Sequence, residues 1–241
     1  MLIKLNIKRF EPSTRESKWQ AFQLVAEGND TVADLLRRLN EEEVLADIEG
    51  KAAPPIDWEC GCMQKKCGGC AMVINGIPKI ACSAFVKDLC RKTAEIKVEP
   101  LSKFPVVRDL RVDKSKLYED LQNMKIWVSG QAQHNPKEWE GQYVSATCIM
   151  CGLCLEVCPN YSIENAFAGA AVMNSAYRVA MQQAPGNNRK LFIKENIKAG
   201  QGHCSKALSC ENVCPMNIPT GALMSRMNRL YIKELLGFNR G

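Results

Sequence analysis

Histidine is nearly absent: the 241 residues include only His134 and His203. Neither is placed with an acid and a nucleophile, so Ser/His/Asp chemistry has no support. No apolar run approaches the roughly 18 residues that a bilayer-spanning helix needs. The opening Met1-Leu2-Ile3-Lys4-Leu5-Asn6 has no long apolar stretch and no small-residue cleavage site, so a secretory signal is not expected. There is no phosphate loop and no dinucleotide fingerprint; Gly200-Gln201-Gly202 is only two glycines. Low-complexity linkers are missing as well. Hydrophobic residues at 46% and charged residues at 24% predict packed cores rather than a disordered tail.

Cysteine, by contrast, is abundant. Thirteen are present, and an odd count without an export signal argues against a disulfide framework. Metal ligation, catalysis or inert burial remain. Charge is unevenly placed. The net is +6, yet residues 178–241 hold ten Lys or Arg against three Asp or Glu. That excess is either a solvated basic surface or a docking face for something acidic.

The first hundred residues predict strands around one helix. Leu2 to Phe10 alternates apolar and polar residues, Trp19 to Val25 does so more weakly, and Glu11-Pro12-Ser13-Thr14 forms the turn between them. Asp30-Thr31 caps a helical pattern through Val32, Leu35, Leu36, Leu39, Val44 and Leu45. Ala71–Ile74 and Ile77–Ala81 flank Asn75-Gly76, a hairpin signal, and Ile96–Val98 reads as a last strand. Together these suggest a β-grasp-like domain over residues 1–103.

Pro100 and Pro105 mark the boundary, and residues 104–241 predict an α-helical domain. Leu110, Leu117, Leu121 and Met124 fall at helical spacing, as do small apolar residues from Ala166 to Ala180. The last helix has Pro219 near its start and Gly237 at its end. A faint repeat relates Cys154-x3-Cys158-Pro159 to Cys210-x3-Cys214-Pro215, each leading into a helix.

Cys62-x4-Cys67-x2-Cys70 with Cys82 has the spacing of plant-type ferredoxins, which hold a 2Fe–2S cluster. Gly68 and Gly69 let the backbone wrap closely and aim amides at sulfur. Zinc is the competing reading, but its sites pair short Cys-x2-Cys hooks and fit this spacing poorly. Cys60 competes with Cys62 for the first position, although only Cys62 leaves the four-residue gap to Cys67. Cys90 reads as a packed thiol.

The second set is Cys148-x2-Cys151-x2-Cys154-x3-Cys158-Pro159, the bacterial ferredoxin run, whose fourth cysteine serves the other cluster. Downstream, Cys204, Cys210 and Cys214-Pro215 fill the first, third and fourth positions of the same template, with Ala207 at the second. The crossing rule assigns Cys148, Cys151, Cys154 and Cys214 to a 4Fe–4S cluster. Cys158, Cys204 and Cys210 are then left with three thiolates, the complement of a 3Fe–4S cluster.

This order of cluster types resembles the iron–sulfur subunit of succinate dehydrogenase and fumarate reductase over essentially the whole chain. The fold implied is α+β: a β-grasp plant-type ferredoxin domain, then an all-α bacterial-type ferredoxin domain. The resemblance implies a subunit with no substrate site of its own. Such a subunit relays electrons between a FAD-containing flavoprotein, which interconverts succinate and fumarate, and a membrane anchor with quinone and sometimes haem b. It implies a peripheral position on the cytoplasmic face of the cell membrane and no nucleic-acid partner. Many relatives place a tryptophan shortly after the Cys-Pro, and some a histidine after the next three-iron ligand. Here Asn160-Tyr161-Ser162-Ile163 follows Pro159, and Ser205 follows Cys204. Pro159, Tyr161, His203 and Ser205 are therefore the quinone-proximal candidates, with exposed loop residues as the plainer alternative. Two other functional readings are the iron–sulfur subunit of a soluble thiol- or glycolate-linked flavoprotein and a zinc-stabilised nucleic-acid module. The first would normally carry further cysteine-rich repeats, and the second would need paired hooks and a basic, aromatic-rich stripe.

Overall fold

The computed structural model describes residues 1–133 and 136–236, so His134 and Gly237 lie outside the described residues. The chain divides into two compact units, Met1–Lys114 and Ser115–Gly241.

In the first unit, β1 (Leu2–Glu11) pairs antiparallel with β2 (Glu16–Val25) and parallel with the later strand β5 (Glu95–Glu99). The alternation expected for β1 is realised, with Ile3, Leu5 and Ile7 buried on one face. Helix α1 (Val32–Glu41) opens with a capping box. Thr31 Oγ1 accepts from the Asp34 amide at 3.2 Å, and Asp34 Oδ2 accepts from the Thr31 amide at 2.9 Å. Its apolar stripe, Val32, Leu35, Leu36 and Leu39, is buried. Strands β3 (Ala71–Ile74) and β4 (Ile77–Ile80) form the expected hairpin. Asn75 (φ 49°) and Gly76 (φ 76°) supply the left-handed pair that a tight two-residue turn needs. The short helix α2 (Val86–Leu89) and β5 (Glu95–Glu99) follow. The sheet order is β2-β1-β5-β3-β4, with the one long helix packed on it as in a β-grasp.

The helical pattern expected from Leu110 onward is interrupted. The segment after Pro105 forms a second hairpin, β6 (Val106–Arg108) and β7 (Arg111–Val112), whose turn contains Leu110. Residues 104–114, expected in the second domain, therefore belong with the first compact unit. The cause is tertiary. Asp109, at φ 46°, accepts from Arg9 Nε at 2.8 Å, from the Asp57 amide at 2.9 Å and from the Phe10 amide at 3.2 Å. Arg9 in turn donates to Gln20 and to the carbonyls of Pro54 and Pro55. One buried ion pair thus ties β1, β2, the loop before the cysteines and the hairpin together.

The second unit is helical: α3 (Ser115–Asn123), α4 (Trp139–Ala146), α5 (Leu153–Glu156), α6 (Gly169–Gln182), α7 (Asn187–Ala199), α8 (Ser209–Asn212) and α9 (Thr220–Leu235). Small residues let α6 run through the middle, buried on almost every side. Tyr177 and Ala180 of α6 pack with Ile193 of α7 and with Leu223 and Met227 of α9.

Replacing Asp109 with Asn keeps the shape and the left-handed backbone but leaves the Arg9 guanidinium buried without its counter-charge. Breaking such a pair costs about 3–5 kcal/mol. Urea unfolding of the full chain should show a loss of that order; a change near zero would mean that the ion pair does not hold the hairpin.

Candidate metal centres

The cysteines lie on loops and short helices whose backbones turn amides toward sulfur. In the first unit the amides of Gln64 and Lys66 both donate to Cys62 Sγ at 3.3 Å, and the Lys65 amide donates to Cys82 Sγ at 3.2 Å. The Gly69 amide donates to Cys67 Sγ at 3.5 Å, as expected for this glycine. Left-handed backbone at Met63, Lys65 and Gly68 makes the convergence possible. Gly69 also admits a close neighbour, since a Cβ there would come within 2.9 Å of Glu59 Oε1. The Gln64 and Lys66 amides lower the Cys62 thiol to about 7, whereas burial pushes Cys70 up to about 12.

Cys60 is exposed beside this set, its thiol raised by burial and by facing Cys67, Cys82 and Cys62. Cys90 caps α2, with its thiol raised by burial alone.

In the second unit two cavities are ringed by thiols. One, with about 20 Å³ of free space, is lined by Cys148, Cys151, Cys154, Cys210 and Cys214. The other, about 270 Å³, is lined by Cys158, Cys204 and Cys210 together with apolar residues of α6 and α9. Cys210 belongs to both linings. Burial pushes the Cys148, Cys154 and Cys210 thiols up, so ionising them requires a nearby positive centre such as a metal. The Arg178 guanidinium opposes that rise at Cys148. Among the described residues no three His, Cys, Asp or Glu side chains converge on a point as around a single ion. The thiols surround spaces instead, and soft donors ringing a space suit a polynuclear iron–sulfur group.

The faint repeat is stronger in the backbone than in the sequence. Met150 (φ 51°) and Gly152 (φ 86°) lie two and four residues after Cys148; Lys206 (φ 59°) and Leu208 (φ 55°) lie two and four after Cys204. The Met150 amide bonds to the Cys148 thiol, and the Lys206 amide donates to Cys204 Sγ at 3.3 Å. A short helix then follows in each half, α5 or α8. Residue 207 thus takes the place of Cys151, and it is an exposed alanine.

The four quinone-proximal candidates separate. Pro159, His203 and Ser205 are exposed, with Ser205 Oγ donating to Asn160 Oδ1 at 2.6 Å. Tyr161 is not a surface loop residue. It is buried beside Leu155 and Gly169, and burial pushes its hydroxyl up to about 12. Sequence reasoning missed Lys114, whose ammonium lies 3.4 Å from the carbonyls of Gly68 and Gly69 and from Glu59. It also missed Asn174 and Thr220, which line the smaller cavity. None of the three stands in a cysteine motif, so no local signal marked them.

Residues 4–119 match the 2Fe–2S iron–sulfur cluster binding domain, and residues 144–218 match the 4Fe–4S dicluster domain. The fold and these two domains define a two-domain iron–sulfur protein of ferredoxin type. The succinate dehydrogenase iron–sulfur subunit of Bacillus subtilis is 29% identical over 219 residues, covering 87% of this chain and 85% of that one. The fumarate reductase iron–sulfur subunit of an Escherichia coli strain is 27% identical over 232 residues, covering 93% and 91%. A chain of the Mycobacterium smegmatis Sdh1 complex shares the fold, with a TM-score of 0.78, 23% identity and 95% coverage of both chains. The chain carries both domains and is similar over most of its length to iron–sulfur subunits of succinate dehydrogenase and fumarate reductase.

The two candidates for the first position of the 2Fe–2S set differ in their amide donors. Cys62→Ser puts a harder oxygen where two amides meet a sulfur and should weaken or abolish the 2Fe–2S electron paramagnetic resonance signal. Cys60→Ser and Cys90→Ser should leave it unchanged. The opposite pattern, a signal lost with Cys60→Ser and kept with Cys62→Ser, would reverse the register.

Proposed function

We propose that this chain is the electron-carrying subunit between a FAD-containing partner that interconverts succinate and fumarate and a membrane anchor that holds quinone, in some relatives with haem b. The likeness to these subunits over most of the chain supports this reading. So does the absence, among the described residues, of any helix long and apolar enough to cross a membrane, since attachment would then come through the anchor. The position proposed is peripheral, on the cytoplasmic face.

In this reading Cys62, Cys67, Cys70 and Cys82 hold a 2Fe–2S cluster, Cys148, Cys151, Cys154 and Cys214 a 4Fe–4S cluster, and Cys158, Cys204 and Cys210 a 3Fe–4S cluster. When bound, the clusters supply one-electron carriers that need no proton or group transfer. The chain's residues keep those carriers ligated, shielded and close. Buried Leu153 and Leu155 limit water around α5, and Cys210 in the wall of both cavities leaves little protein between the two helical-domain sites. Pro159, His203 and Ser205 sit beside the three-thiol site and are the proposed contacts for quinone; buried Tyr161 would support that surface from beneath.

The observation that carries the three-iron assignment is the match between the two cysteine loops, with Ala207 where Cys151 stands in the first. Alanine offers no ligand atom for a fourth iron. Electron paramagnetic resonance of the oxidised wild type should show a three-iron signal, and Ala207→Cys should remove it by admitting a fourth iron. That substitution should also lower the site's potential and slow quinone-linked turnover while flavin-to-dye transfer continues. Two four-iron signals in the wild type would overturn the assignment. Visible absorption decides the wider reading: brown protein supports it, and colourless protein that contains zinc defeats it. The chain purified alone should show no succinate- or fumarate-dependent turnover, and adding the flavoprotein should restore electron transfer.

A further inference from the structure

The smaller thiol-lined cavity has two polar side chains that no cysteine motif announces. Among the described residues lining it, only Asn174 and Thr220 carry polar side chains other than thiols. Asn174 lies in the middle of α6, three residues after Ala171, which lines the same cavity; Thr220 is the first residue of α9. Both are almost fully buried, at 4% and 3% exposure. They meet each other, with Asn174 Nδ2 3.1 Å from Thr220 Oγ1. The other end of the amide, Oδ1, is buried and has no hydrogen-bond partner.

An orphaned amide end deep in a helical core costs about 1–3 kcal/mol, so its position calls for a partner. The cavity it lines is the proposed four-iron site, and sulfur held there is anionic. A carbonyl oxygen facing that charge would be repelled, whereas an N–H group would be attracted. The side-chain amide has the same outline when turned end for end, and a threonine hydroxyl either donates or accepts. With the amide turned, Oδ1 accepts from the Thr220 hydroxyl and Nδ2 faces the cavity. Both ends are then satisfied.

We infer that Asn174 is a hydrogen-bond donor to the cluster held by Cys148, Cys151, Cys154 and Cys214, and that Thr220 fixes the amide in the donating orientation. Asn174 is a positioning and tuning residue, and the inference rests on the ligand assignment proposed above. A neutral donor buried beside the sulfurs stabilises the more negative, reduced state and so raises the potential. It does this without adding a charge that the core would have to solvate.

The test is a redox titration of the full-length, cluster-loaded protein followed by electron paramagnetic resonance. Asn174→Leu removes the donor at similar volume. It should lower the reduced-to-oxidised ratio of the four-iron cluster about tenfold at a fixed ambient potential, a shift of about 59 mV for one electron. Thr220→Val removes the hydroxyl, frees the amide to turn, and should shift the same cluster in the same direction by less. Asn174→Asp places a like charge against the cluster and should shift it further than Asn174→Leu. The other two clusters should keep their potentials in all three variants. If Asn174→Leu fails to assemble its cluster, Thr220→Val decides, and an unmoved potential there overturns the inference. A wild type with a four-iron signal and variants with unchanged potential would defeat this inference alone. A wild type with no four-iron signal would defeat the ligand assignment and this inference with it.

Discussion

A cysteine sulfur that is to serve iron as thiolate needs donors around it, and in this chain those donors come mainly from the backbone of the same loop. Helix interiors and paired strands cannot supply them, because their amides are already engaged along the ladder. The cysteine loops therefore leave regular structure and place residues in the left-handed region, including non-glycine residues at Met63, Lys65, Met150, Lys206 and Leu208. Each such residue carries a conformational cost that the amide–sulfur contacts and the surrounding core must offset. The rest of each unit can be understood as the support that makes those loops affordable.

The two units provide that support differently. In the first, a twisted sheet and one well-capped helix form the body, and the buried Arg9–Asp109 pair draws a late hairpin back onto β1 and the Pro54–Asp57 segment. Lys114, just after that hairpin, then reaches the carbonyls of Gly68 and Gly69, so the amides of the same loop are left to face sulfur. In the second unit the body is α6, whose small residues admit neighbours on nearly every side. Short helices α5 and α8 then sit close enough for Cys210 to share in both cavities.

Charge follows the same logic. Thiolates around a cluster bring negative charge, and one basic residue of the 178–241 segment, Arg178, acts directly on the Cys148 thiol. Arg189 instead pairs with buried Glu234, and the exposed Arg226 bonds to the hydroxyl of buried Tyr177. Lys190, Lys194 and Lys198 of α7 are spaced along a helix whose buried residues are Phe192, Ile193 and Asn196, and they remain for a surface role. A basic face of this kind suits acidic lipid headgroups or an acidic partner in the proposed complex.

Much of this was legible in the amino-acid order, because cysteine spacing, capping residues and turn dipeptides are local. The Thr31 cap, the Asn75-Gly76 hairpin and the template shared by Cys148–Cys158 and Cys204–Cys214 lie within a few residues of one another. So does the gap at Ala207. Long-range pairing was not legible. Leu110 kept helical spacing with Leu117, yet Arg9, a hundred residues earlier, held its neighbour Asp109 in a hairpin. Tyr161 followed a Cys-Pro like a loop residue, and the packing of Leu155 and Gly169 buried it. Asn174 and Thr220 had no motif, and only the meeting of α6 with α9 placed them at a thiol-lined wall. The chain's order determined which residues can bind iron; the tertiary structure decided which of them share a cavity and which polar groups surround it, because burial and opposed charges act between residues far apart in the chain.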